Sequence, residues 1–243
     1  MRKIIINIQG DEINIHKASR FHGWLMEQIG EEYARELHNE NTRPFSQYLL
    51  KCETGWEWHV NTLTDEADQK IADRIFDGSI KEIHLKEGKA VTIVGKQKEH
   101  ETIDGLLKKT YFLDSPRTCS IRFITPTAFK RNEKYFFFPE VKLIFQNLIN
   151  RFQACGFPMT IGDSELLEEI QNKVEIVDYD LRTKKFYLEN TNVKGFQGRI
   201  FIKIYGTQMF VNLIHVLLQF VSYSGIGIKT ALGMGAVEVG ERR

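Results

Sequence analysis

Hydrophobic and polar positions along the chain fall into two successive arrangements that read alike. Near the N-terminus, Ile4 to Ile8 form the short apolar run of a strand. A helical region over about Lys17 to Leu37 follows. Further along, Trp56 to Leu63 is strand-like, Asp65 to Phe76 helical, and Ile80 to Leu85 and Ala90 to Lys96 strand-like again. The second half opens with a strand, Cys119 to Ile124. Pro139 then starts a helix whose apolar stripe, Val141, Ile144, Phe145, Leu148, Ile149 and Phe152, has helical spacing. Strands near Phe186 to Glu189 and Gly198 to Tyr205, an apolar helix from Met209 to Val221 and a short strand, Ala236 to Val239, complete it. Two β-α-β-β-α-β units joined near Lys98 to Pro116 explain this order. The fold class is therefore α+β, with domains expected at 1–115 and 116–243.

Composition narrows the choice. The 243 residues suffice for a real core. The apolar run Met209 to Val221 is interrupted by Asn212, His215 and Gln219 and is too short to span a bilayer. No signal-peptide pattern precedes the first strand, so a cytoplasmic protein with no membrane partner is expected. Cys52, Cys119 and Cys155 have no paired spacing, which suggests neither a disulfide framework nor a zinc site. The acidic stretch Ile161 to Glu169, with Asp163, Glu165, Glu168 and Glu169, reads as a solvated helix rather than a metal cluster. Neither metal nor cofactor is expected. The formal net charge of +1 hides an asymmetry. Residues 1–115 hold 16 basic and 20 acidic side chains and residues 116–243 hold 17 and 12. A polyanion would thus be held mainly by the second half.

The richest local pattern is Gly225-Ile-Gly-Ile-Lys-Thr-Ala-Leu-Gly-Met-Gly-Ala-Val-Glu-Val239. Glycines at 225, 227, 233 and 235 can bring backbone N–H groups close to a phosphate. Lys229 adds a cation and Thr230 a hydroxyl. The segment follows a helix and precedes a strand, the reverse of a nucleotide-binding glycine loop, so a polynucleotide backbone is the better ligand. The plain alternative is a turn between the last helix and the last strand.

Gly-hydrophobic-Gly, five residues, then Gly-hydrophobic-Gly-x-Val near the C-terminus resembles the signature of the RAMP superfamily of CRISPR-associated proteins. It is most similar to the repeat-cleaving endoribonucleases that make guide RNAs. Leu37-His38, followed by Arg43-Pro-Phe45, resembles that family's leucine-histidine and the cation after it. Thr125-Pro-Thr127 resembles its Ser/Thr-Pro-Thr segment. The resemblance implies tandem ferredoxin-like (RRM-like) domains, each an antiparallel sheet with helices on one face. It also implies metal-independent cleavage of CRISPR repeat RNA, leaving a 5′-hydroxyl fragment and a 2′,3′-cyclic phosphate. Further partners it leaves open are other CRISPR-associated subunits and a second copy of the chain. A non-catalytic RNA-binding RAMP subunit is the alternative, disfavoured by the pairing of His38 with Arg43.

By this resemblance His38 is the acid–base group and Arg43 its cation. Some family members carry a catalytic tyrosine in the first helix, where this chain reads Gly23-Trp-Leu-Met26; His22 and Tyr33 are the polar candidates. On one unbroken helix His22 and His38 would face apart by about 160°. A break at Gly30 would let them converge. His215, amid leucines and valines, reads as a core histidine. Lys130, Arg131, Lys184, Lys185, Lys194 and Arg199, together with the glycine loop, supply a candidate phosphate track. The aromatic run Tyr135 to Phe138 abuts an apolar helix and reads as core rather than as a base-stacking surface.

Overall fold

A computed structural model describes residues 1–39, 43–86, 88–157, 164–189 and 191–241. The first unit runs β1 (Arg2–Gln9), α1 (Ala18–Gln28), α2 (Glu31–Asn39), β2 (Phe45–Cys52) and β3 (Gly55–Thr62). A helical stretch follows, made of α3 (Asp65–Ala67), a π turn over Asp68–Ala72 and α4 (Asp73–Ile75). Then come β4 (Glu82–Ile83) and β5 (Val91–His100). Its antiparallel sheet has the order β2-β3-β1-β5-β4.

Helix α5 (Ile103–Thr110) connects to the second unit. This contains β6 (Thr118–Thr127), a hairpin of β7 (Phe129–Arg131) and β8 (Lys134–Phe136), α6 (Val141–Ala154) and α7 (Ser164–Lys173). The long strands β9 (Val174–Leu188) and β10 (Thr191–Ile204), helix α8 (Gln208–Ser224) and β11 (Val237–Glu241) complete it. The order β11-β6-β10-β9 repeats the arrangement of the first sheet's four main strands. Both units are ferredoxin-like, as expected. No helix among the described residues is long and apolar enough to cross a membrane.

Several boundaries differ from the pattern for identifiable reasons. The helical region breaks at Gly30, whose φ of +90° belongs to the left-handed region that glycine tolerates. Strand β2 escapes a search for apolar runs because Ser46 and Gln47 are buried polar residues within it. The joint between units holds α5, capped by the Thr102 hydroxyl, which accepts from the Gly105 N–H at 3.0 Å. Strands β9 and β10 extend well beyond their apolar segments because their outer positions are charged. Of the acidic stretch, residues 161–163, Asp163 included, lie outside the described residues.

Two cores form, and each borrows from the other unit. The second core takes in Met1, Leu63, Ile103 and Leu106. The first takes in Ala128, Phe186, Val193, Ala231 and Met234. The segment after α8 thus packs on α1 and β2, and the end of β9 on the turn Ile15–Lys17, where Tyr187 N–H donates to His16 Nδ1 at 3.2 Å.

Candidate active site

The turn at Gly30 ends α1 and lets α2 bring His38 within electrostatic reach of His22. His22 lies on α1, half-buried, with its ring stacked on Phe45 at 6.0 Å between centroids and 15° between planes. His38 stands exposed in the last turn of α2, and Arg43 donates from Nη2 to its carbonyl oxygen at 3.1 Å. Burial, then the Arg43 guanidinium, then His38 push the His22 imidazole down to about 4. His22 is therefore neutral near pH 7, able to accept a proton, with a cation and a second imidazole in electrostatic reach. Tyr33 does not join them. It is buried with Leu37 in the first core, four residues apart on one helix face. His38, five residues on, points about 140° away. The reading of Tyr33 as a catalytic group is corrected by that burial.

Beside His22 opens a cleft of about 670 Å³. Arg20, His22 and Glu27 of α1 form one wall, and Leu188 and Glu189 of the β9–β10 hairpin another. Lys86 reaches across to Glu27 at 3.1 Å, and Leu232 of the glycine segment closes one end.

The glycine segment has a different job from the one its pattern suggested. Gly225, Gly227, Gly233 and Gly235 are buried, all at positive φ, between 64° and 106°. A Cβ on Gly227 would meet the Ala128 carbonyl oxygen, one on Gly235 the Ile226 oxygen, and one on Gly233 the Ala18 Cβ. The amides face inward too. Gly227 N–H donates to Asn147 Oδ1 at 2.8 Å, Ile226 N–H to Gly235 O at 2.8 Å, Ile228 N–H to Ala128 O at 2.9 Å and Gly235 N–H to Pro126 O at 3.2 Å. Thr230 is buried as well. The expectation that these glycines, their amides and Thr230 grip phosphate is corrected: close approach here is to the protein's own backbone. Lys229, half-buried at a left-handed φ of 58°, is the segment's remaining candidate for a phosphate.

The cations of the second unit divide into two groups. Lys184, Lys185 and Lys194 are exposed on the β9–β10 hairpin, and Lys185 sits directly opposite Lys194. Like charges opposite each other destabilise a ladder, and an anion held between them would relieve that repulsion. Arg199 is exposed nearer the middle of β10, opposite Arg122 of β6. Lys130 and Arg131 lie elsewhere, on the β7–β8 hairpin, paired with Glu133 at 2.5 Å and Glu140 at 3.0 Å. His215 is a satisfied core histidine, its Nε2 2.7 Å from the Pro116 carbonyl oxygen.

What sequence reasoning missed is the polar joint behind the site. Gln47 donates to the carbonyls of Ala18 at 2.8 Å and Ala231 at 2.9 Å, and accepts from the Trp58 indole N–H at 2.8 Å. Ser46 donates to the Tyr223 carbonyl at 2.6 Å. Adjacent polar residues after a buried Phe45 were the available signal.

Residues 121–237 match the family described as CRISPR-associated endoribonuclease Cas6. A curated relative of that name from Streptococcus thermophilus is 30% identical over 233 residues, covering 93% of this chain and 92% of the relative. One from Mycobacterium tuberculosis is 33% identical over 220 residues, covering 90% and 70%. Among solved structures, a Cas6 product complex superposes with a TM-score of 0.84 at 18% identity, covering 98% of this chain and 99% of the other. Thermus thermophilus Cas6 superposes at 0.73 and 19% identity, covering 98% and 97%. Those structural matches share the two-sheet architecture, and the sequence relatives span nearly the whole chain: it belongs to the family of CRISPR-associated Cas6 endoribonucleases.

Proposed function

We propose that this chain cuts CRISPR repeat precursor RNA by attack of the substrate's own 2′-hydroxyl, without a metal. The 2′-oxygen bonds to the scissile phosphorus while the bond to the 5′-oxygen breaks. The products are a 2′,3′-cyclic phosphate and a 5′-hydroxyl. Two proton transfers accompany this, one from the 2′-hydroxyl and one to the leaving 5′-oxygen. His22, held neutral, is the group to accept the first; a phosphate entering beside it opposes the field of Arg43 and strengthens it as a base. His38 then supplies the second proton. Arg43 offers guanidinium donors to the phosphate oxygens as charge builds on them.

Residues 1–115 carry this chemistry and residues 116–243 hold the RNA, with Lys184, Lys185, Lys194, Arg199 and Lys229 as phosphate contacts. The single observation that carries the reading is the convergence of His22, His38 and Arg43 across the break at Gly30. Single-turnover cleavage of repeat RNA tests it. Activity should persist in excess EDTA and vanish when the nucleotide 5′ of the cut carries a 2′-deoxy sugar. Activity lost in EDTA and restored by magnesium would refute the mechanism.

A further inference from the structure

Four aromatic side chains stand in solvent on the second unit: Tyr135, Phe137, Phe138 and Tyr179, at 46, 41, 51 and 60% exposure. The run 135–138 is therefore not core, contrary to its reading from sequence, and only its Phe136 packs partly against the second core. Phe138 meets Tyr179 of β9 edge to face, 6.2 Å between centroids at 83°. The hairpin that carries the run has a firm base. Arg131 lies 4.0 Å above the Phe136 ring and is bound to both carboxylate oxygens of Glu140, at 3.0 and 3.1 Å. Its turn residues Asn132 and Glu133 both have positive φ, the sign a tight two-residue hairpin turn requires.

Aromatic rings grouped in solvent mark an interaction site. The surrounding charge says of what kind. Residues 130–142 carry Lys130, Arg131, Lys134 and Lys142 against Glu133 and Glu140, so the cations lie on the hairpin side, whereas Tyr179 is flanked by exposed Asp178 and Asp180. Open ring faces beside cations suit a polyanion that also offers flat bases, a single-stranded nucleic acid. Position strengthens this. Strand β9 runs from Tyr179 to Leu188, a wall of the His22 cleft, over about 30 Å at strand rise. Arg182, Lys184 and Lys185 lie exposed between them.

We infer that Tyr135, Phe137, Phe138 and Tyr179 form a stacking platform for unpaired bases of the RNA that leaves the cleft along β9. The inference rests on the RNA-cleaving reading above and adds to it a second site, specific for single-stranded flanks.

The test is a Phe138→Ala/Tyr179→Ala variant, both positions being exposed. Fluorescence anisotropy would compare a repeat hairpin with single-stranded flanks, the same hairpin without them, and a labelled oligouridylate. Affinity for the flanked hairpin and the oligouridylate should fall about fivefold or more per stacked base lost. Affinity for the bare hairpin, and its cleavage rate, should hold. A Phe138→Leu/Tyr179→Leu variant keeps apolar surface without a stacking face and should bind as weakly as the alanine variant. Leucine restoring full affinity, or alanine leaving it unchanged while the unaltered enzyme still cuts repeat RNA, would overturn the platform alone. An unaltered enzyme that fails to cut repeat RNA would overturn the functional reading and the platform with it.

Discussion

Replacing Gln47 by leucine removes one amide that joins three parts of the molecule. Gln47 is 1% exposed, donates to the Ala18 and Ala231 carbonyls and accepts from the Trp58 indole. Leucine fills much of the space and makes none of these bonds. The Ala18 carbonyl keeps its partner within α1, the N–H of His22 four residues on, so it loses only a second bond. The Ala231 carbonyl and the Trp58 N–H are left buried and unpaired, at about 1–3 kcal/mol each. A loss of about 3 kcal/mol is expected, a large share of a total stability of about 5–15 kcal/mol. Urea unfolding followed by tryptophan fluorescence would measure it, with a midpoint lowered by about 1 M or more at unchanged slope. Because the same carbonyl begins the helical turn that ends on His22, single-turnover cleavage should slow in the folded variant as well. A stability loss under about 1 kcal/mol would refute the claim that this amide ties the glycine segment to α1.

The site itself gives three further expectations. His38→Ala should slow single-turnover cleavage by about two to four orders of magnitude with RNA affinity nearly unchanged, and Arg43→Ala should slow it through lost charge stabilisation; full activity in His38→Ala would show that another group carries the chemistry. His22, at about 4 in the folded chain against about 6.5 when unfolded, binds its proton more readily unfolded. Its contribution is therefore complete above about pH 6.5 and lost as pH falls toward 4, by up to about 3 kcal/mol; thermal melts of His22→Asn should lack this part of the acid sensitivity, and an unchanged pH profile would contradict it. Lys194→Glu, opposite Lys185, should stabilise the hairpin by about 0.2–1 kcal/mol while weakening RNA binding and making its salt dependence shallower; unchanged affinity would return these lysines to the solvated surface.

The architecture was legible because two rounds of apolar periodicity separated by turns leave few alternatives to paired βαββαβ units. The break at Gly30 stood only as an alternative inside the helical run Lys17 to Leu37, because an interior glycine weakens a helix without dictating where it stops. His22 gained its place through that break, not through spacing along a helix. Strand β2 was not legible, because Ser46 and Gln47, buried on its two opposite faces, are polar, with partners Tyr223, Ala18 and Ala231 supplied by distant segments. Tyr33 was misread for a related reason. Residue type marks a group that can do proton chemistry, but only the helix face decides whether substrate can reach it, and Tyr33 shares its face with Leu37.

The glycines of the C-terminal signature are turned to the protein's own backbone and packed side chains. These buried glycines admit close packing: Gly227 over the Ala128 backbone, Gly235 over the Ile226 backbone, Gly225 beside the Gly235 carbonyl, and Gly233 against the Ala18 methyl at the start of α1. The contacts fix the segment after α8 simultaneously to β6 of the second sheet through Pro126, to Ala128 just beyond that strand, and to the helix that bears His22. Any larger residue would meet backbone or a packed methyl while also occupying a positive φ, so glycine is demanded twice over at each point. The spacing of the motif is thus the spacing of these contacts. Its consequence is positional: the second unit is registered against the helix that bears His22.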